Sequence, residues 1–133
     1  MKNSKFALFT KGIVLLTLFF AAATFTSCKE EEEQPPFKYP EILGEYTGAY
    51  STLTGNYFSE YTYTVSETGE TSVKLTPQDN NGVEFEVTLT KNSDTSFYHS
   101  NNGNVLNITK DDNGTWSLTF TRLDAGAFSG LKN

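Results

Sequence analysis

The sequence predicts an all-β fold, an eight-stranded antiparallel up-and-down meander barrel. An open curled sheet or a β-sandwich is the alternative arrangement of the same strands. Three observations lead there. Apolar and polar residues alternate with period two. Turn signals recur at nearly even spacing. No connection between strands is long enough for a crossover.

The alternation is clearest in Val83-Glu84-Phe85-Glu86-Val87-Thr88-Leu89-Thr90 and is repeated in Thr115-Trp116-Ser117-Leu118-Thr119-Phe120-Thr121-Arg122. Such a run buries one face and wets the other. A helix needs apolar residues three and four apart, which neither run supplies. Turns are signalled at Thr54-Gly55-Asn56, Thr68-Gly69, Asn81-Gly82, Asn92-Ser93-Asp94, Asn102-Gly103, Asn113-Gly114 and Ala125-Gly126. Asn-Gly favours the type I′ turn, whose twist suits tight hairpins. Seven turns delimit eight strands, at 44–53, 57–67, 72–76, 83–91, 96–100, 105–110, 115–123 and 127–132. A Greek key requires a long return connection, so short loops imply a meander. Closing a meander into a barrel removes its exposed edges. The C-terminal AFSGLKN is placed to pair with GEYTGAY and complete the ring. At eight strands the lumen either fills with side chains or holds one small ligand.

The N-terminal part is organised differently. Residues 1–27 carry Lys2, Lys5 and Lys11, no acid, and then an apolar run from Gly12 to Phe25. A basic n-region before a short apolar h-region is the pattern of a secretory signal peptide. About 14 apolar residues are too few for a membrane span, which needs about 20. Residues 28–36 follow as an acidic, proline-ended tether, and residues 37–133 form the barrel domain. Removing residues 1–27 takes away three lysines and no acid. That leaves about seven basic residues against 16 acidic ones, a net charge of about −9. Nucleic acid and a basic membrane-binding patch are excluded as partners on charge.

The boundary Thr24-Phe25-Thr26-Ser27-Cys28 resembles the end of a bacterial lipoprotein signal peptide, with a small residue before the cysteine and Phe25 in the place of the usual Leu. The resemblance implies that Cys28, the only cysteine, is acylated and becomes the new N-terminus. Several acyl chains anchor stably, at about 0.8 kcal/mol per buried methylene. The following Lys29, Glu30, Glu31, Glu32 and Glu33 resemble the export signal of Bacteroidota lipoproteins. That similarity implies an outer-membrane, surface-exposed protein. The strand layout from about Leu43 to Leu131 is similar to the calycin-like (lipocalin- or avidin-like) domains of small Bacteroidota surface lipoproteins. In lipocalins a Gly-x-Trp on the first strand packs under a basic residue late in the barrel. Here Gly44-Glu45-Tyr46 and Arg122 stand in those places. The likeness implies that Arg122 stacks on Tyr46 and helps close the barrel.

No catalytic set is visible. His99 is the only histidine, and a triad needs a histidine held between a carboxylate and a nucleophile. It is read as a surface or pocket-rim residue. Asp79-Asn80-Asn81-Gly82 and Asp111-Asp112-Asn113-Gly114 lack the alternating acids of a calcium loop and have the residues that tight turns require. Glu84 and Glu86 share a strand face with no chemistry beside them and read as solubilising charges. No metal, no cofactor and no enzymatic activity are expected.

The aromatic residues are the functional lead. Tyr46, Tyr50, Tyr61 and Tyr63 alternate on the first two strands, where they form one inward cluster facing Phe85, Phe97, Trp116 and Phe120. Two readings stand. Either these residues line a pocket for a small, partly apolar ligand, or they fill the lumen of a module that contacts a surface protein or glycan. A domain of about 97 residues needs most of them as core, at about 1.5–3 kcal/mol for each large apolar side chain buried.

Overall fold

The computed structural model describes residues 35–133. The expected signal peptide, Cys28 and the run Lys29 to Glu33 lie outside the described residues. A short 3-10 helix at Pro40–Ile42 precedes nine strands. These are β1 (Gly44–Ser51), β2 (Tyr57–Glu67), β3 (Ser72–Pro77), β4 (Phe85–Thr88), β5 (Thr90–Ser93), β6 (Ser96–Asn101), β7 (Asn104–Lys110), β8 (Trp116–Arg122) and β9 (Gly126–Lys132). They form one antiparallel sheet in the order β4-β3-β2-β1-β9-β8-β7-β6-β5, a nearly closed up-and-down barrel.

The first and last strands do pair. Tyr46 faces Lys132, Gly48 faces Gly130, and Ser51 faces Ala127. The approach is so close that a Cβ on Gly48 would lie 2.0 Å from the Ser129 carbonyl oxygen. A Cβ on Gly130 would lie 2.5 Å from the ring tip of Phe128. Glycine at these inward positions lets the two backbones meet and leaves room for the Phe128 ring.

The count of nine corrects the expectation of eight, and the reason is local. The strand expected over 83–91 changes partner at Leu89. Its first half, β4, pairs with β3 and its second half, β5, pairs with β6. Leu89 is buried, and its N–H donates to the Thr71 carbonyl at 2.9 Å. Alternation of apolar residues runs through Leu89 unbroken, because it reports which face is buried and not which strand is adjacent. His99 spans the resulting seam, with Nδ1 3.0 Å from the Thr88 carbonyl oxygen. A carbonyl only accepts, so Nδ1 carries the hydrogen.

The strand directions define two ends. The N-terminal end holds the start of β1, the end of β2 and the start of β8. The far end holds the loops 52–56, 78–84 and 123–125. The 3-10 helix plugs the N-terminal end with Ile42, which is fully buried. Proline at its first position is suited to that place because no N–H is needed there. Lys132 Nζ donates to the Glu41 carbonyl at 2.7 Å and holds the plug to β9. At the far end the β6–β7 hairpin turns through Asn102 (φ 47°) and Gly103 (φ 81°), the type I′ geometry that Asn-Gly predicts.

A Gly48→Ala substitution should lower stability by about 3 kcal/mol, the upper end for overpacking. Gly69→Ala, whose nearest neighbour is the Ser72 side chain at 3.6 Å, should be nearly silent. Urea denaturation followed by circular dichroism compares the two. Equal midpoints would mean that the β1–β9 contact is looser than described.

Candidate functional site

The inward aromatic cluster forms as the alternation implies. Tyr46, Tyr50, Tyr61 and Tyr63 are all buried, as are Phe85, Phe97, Trp116 and Phe120. They divide into two groups along the lumen. At the far end Tyr50 and Tyr61 rings lie 4.7 Å apart, Tyr63 and Phe120 lie 5.1 Å apart edge to face, and Phe85 and Phe120 lie 5.1 Å apart. At the N-terminal end Phe97 packs 4.6 Å from Tyr39 and 5.9 Å from Trp116. The lumen along these strands is filled by rings in the offset and edge-on contacts that aromatic groups prefer.

Sequence reasoning missed three members of this filling. Phe128 lies in a terminal strand too short and glycine-rich to show a pattern, yet it packs 5.1 Å from Tyr63 and 5.6 Å from Phe120. Tyr39 and Ile42 belong to the plug. Their signal was the Tyr39-Pro40 pair, since proline fixes the chain direction just before the first strand.

Arg122 is not where the lipocalin likeness puts it. Its guanidinium lies over the Phe85 ring at 4.1 Å, and it donates to Asp124 through Nε at 2.9 Å and Nη2 at 2.7 Å. Tyr46 instead donates its hydroxyl to the Ile42 carbonyl at 2.8 Å. β8 runs in the same direction as β1. Tyr46 faces Lys132 and Arg122 faces Gly126 on β9, so the two lie at opposite ends of the barrel, about six residues of strand apart, or roughly 20 Å.

The tyrosine hydroxyls are satisfied unevenly. Tyr50 donates to the Ala125 carbonyl at 2.6 Å, and Tyr61 donates to Asp79 Oδ1 at 2.8 Å. The Tyr63 hydroxyl is buried and has no hydrogen-bond partner among the described residues. Burial pushes the hydroxyls of Tyr46, Tyr61 and Tyr63 far above the ordinary tyrosine value of 10.0. The Asp79 carboxylate adds to the shift at Tyr61, and the Tyr50 hydroxyl adds to it at Tyr63. The Asp79 carboxyl is held below its ordinary value, first by the Asn81 N–H and then by the Tyr61 hydroxyl.

Two of the depressions among the described residues lie outside the filled lumen and bear on function. One, of about 390 Å³, lies on the outer wall across β1, β9, β8 and β7. It is floored by Ala49, Ser129, Thr119 and Asn107, and no charged residue lines it. The other, of about 340 Å³, sits in the far-end mouth between the three loops, with Tyr50 at its floor and Leu53, Asn56, Asn80, Asn81 and Val83 around it. Among the described residues no group of three His, Cys, Asp or Glu side chains is placed to hold a metal ion. Glu84 pairs with Lys74 at 2.9 Å, and Glu86 is exposed on the outer face. Comparison with protein-family models, with curated proteins and with solved structures gives no match.

Two expectations follow. Trp116→Ala and Phe120→Ala should each cost about 3–5 kcal/mol, as for large aromatic residues removed from a core. A domain of this size has about 5–15 kcal/mol in all. Urea unfolding would show both variants marginal, whereas a fully stable Trp116→Ala would mark Trp116 as a pocket wall. The second concerns pH. Tyr46, Tyr61 and Tyr63 have raised values in the folded state, so the unfolded chain loses these protons first. Their contribution is intact below pH about 10 and is lost as pH rises above it. Absorbance at 295 nm should show these hydroxyls ionising together with loss of β circular dichroism. Ionisation of all the tyrosines well before unfolding would contradict the burial.

Proposed function

We propose that this chain is a surface lipoprotein of the Bacteroidota type, anchored to the outer membrane through acylated Cys28, and that its barrel is a non-enzymatic interaction module. The observation that supports the module reading over a lumenal carrier is the packing of the lumen. The rings of Tyr61, Tyr63, Phe85, Phe120 and Phe128 occupy the volume in which a carried ligand would sit. Eight-stranded barrels hold either side chains or one small ligand, and here the side chains take the space. Support for the anchor is the sequence: an apolar run, a small residue, the single cysteine and a run of acids.

Recognition in this reading takes place at the far end. Pro35 and Pro36 lie beside Glu67, Thr68 and Gly69, at the N-terminal end of the barrel. Cys28 is seven residues earlier in sequence, a reach of at most about 25 Å. The loops 52–56, 78–84 and 123–125 are then the part of the domain turned away from the lipid. They carry exposed Leu53 and Val83 beside amide and hydroxyl groups. An apolar patch rimmed by polar groups is the usual form of a recognition surface.

Cys28→Ser should move the protein from the membrane fraction to the soluble periplasmic one and abolish incorporation of labelled fatty acid. Unaltered fractionation would end the lipoprotein reading. A photo-crosslinking residue at Leu53 should trap one reproducible species on intact cells, and one at Thr109, toward the N-terminal end, should not. Equal trapping at both positions, or none at Leu53, would remove the far end from the account.

A further inference from the structure

We infer that the loop 78–84 is a lid over a small-molecule site at the far end, and that the site takes a small uncharged amphiphile whose oxygen accepts a hydrogen bond from Tyr63. The inference rests on the far-end reading for its location and needs neither the anchor nor a macromolecular partner.

The starting point is the orphaned hydroxyl. Tyr63 is 0% exposed, and its hydroxyl has no acceptor among the described residues. A buried donor left unpaired is destabilising, and most are paired in folded proteins. The cause here is Gly82. A Cβ at that position would stand 2.6 Å from the Tyr61 hydroxyl and 2.7 Å from the Tyr63 hydroxyl. The loop backbone therefore rests directly on the two hydroxyls, where a water molecule would need room and further polar partners. Tyr61 has found Asp79; Tyr63 has the Tyr50 hydroxyl and the Val83 N–H beside it but forms no well-aligned hydrogen bond to either.

The loop that does this is attached at its ends and not at its tip. Gln78 donates its N–H to the Thr62 carbonyl at 3.0 Å, and Gln78 Oε1 accepts from the Thr62 N–H at 3.0 Å. Asp79 holds Tyr61 on one side and the Asn81 N–H, at 2.9 Å, on the other. At the far side Glu84 is tied to Lys74 and Thr76. Among the described residues, the hydrogen bonds of Asn81 and Gly82 run back to Asp79, within the loop. Asn80, Asn81 and Val83 form one wall of the mouth depression. Raising the tip about Asp79 and Glu84 would join that depression to the Tyr63 hydroxyl.

The chemistry of the occupant follows from what is already committed. The Tyr50 and Tyr61 hydrogens go to Ala125 and Asp79. The Tyr63 hydrogen has no well-aligned acceptor, the Tyr50 hydroxyl being a neighbour that is itself committed to Ala125, so the ligand must accept. Leu53 (60% exposed), Val83 (38% exposed) and the Tyr50 ring offer apolar surface, so the ligand has an apolar body. The carboxylates at the mouth are engaged, Asp124 by Arg122 and Asp79 by Tyr61 and Asn81. No ammonium group lines the depression. Nothing there rewards a charged ligand. The volume of about 340 Å³ lies within the range of small-molecule sites.

The test uses the chain from residue 28 onward carrying Cys28→Ser, labelled with ¹⁵N, and two probes of one shape. Acetophenone has a carbonyl acceptor, and α-methylstyrene replaces that oxygen with a methylene. Acetophenone should give saturable amide shifts at Tyr50, Tyr63 and residues 80–83, with α-methylstyrene several-fold to about tenfold weaker. Tyr63→Phe should bind the two probes equally and should melt at the same temperature as the parent or higher, because it removes an unsatisfied group. Equal binding of both probes by the parent, no shift at those residues, or a lower melting temperature for Tyr63→Phe would overturn the proposal. If crosslinking at Leu53 succeeds while acetophenone leaves these amides unmoved, the far-end reading stands and the lid site falls.

Discussion

The pairing of β1 with β9 is the constraint on which the rest of the molecule depends. It turns a meander into a barrel and fixes which residues face inward. Gly48 and Gly130 meet where any side chain would collide with the facing backbone. That approach narrows the lumen until aromatic rings fill it, and it lets the Phe128 ring fold across Gly130. Closure also leaves the first and last strands without free edges with which other chains could pair.

The second closure is of another kind. At Leu89 one strand serves two neighbours in turn, β3 and then β6, and backbone pairing is interrupted between them. Side chains complete what the ladder does not. His99 donates across the seam to the Thr88 carbonyl, and Arg122 lies over Phe85 at the far end of the same strand. The lone histidine and the arginine, the two residues most readily taken for functional groups, thus act as fasteners of the wall. Asp124 holds the arginine in place through two hydrogen bonds, the planar geometry that guanidinium and carboxylate share.

Much of this was legible in the sequence, and the limits have physical causes. Alternation identifies the buried face, so Tyr46, Tyr50, Tyr61, Tyr63, Phe85, Trp116 and Phe120 were placed inward from the pattern alone. Asn102-Gly103 marked its hairpin because only residues that tolerate positive φ make that turn. Alternation carries no information about partners, so the change of partner at Leu89 was not visible. The placing of Arg122 on Tyr46 came from the lipocalin likeness and not from the alternation, and in a meander the parallel course of β1 and β8 sets the two residues at opposite ends. The fate of each hydroxyl was not legible from alternation either. Its partner belongs to a loop or a plug, where the chain has no period.

Those partners explain why the lumen is lined with tyrosine where phenylalanine would fill the same volume. Tyr46 on β1 fastens the N-terminal plug through the Ile42 carbonyl. Tyr50 on the same strand fastens the β8–β9 turn through the Ala125 carbonyl. Tyr61 on β2 fastens the β3–β4 loop through Asp79. Each of these three tyrosines therefore serves the core with its ring and an end-closing segment with its hydroxyl, so the wall and its covers are ordered together. Tyr63 has the same residue type and an equally buried place on the inward face, and it forms no such well-aligned bond. A phenylalanine there would pack equally well and avoid an unpaired buried donor. Where local choices otherwise agree so closely, the place at which one of them fails is the place to look for a purpose other than folding.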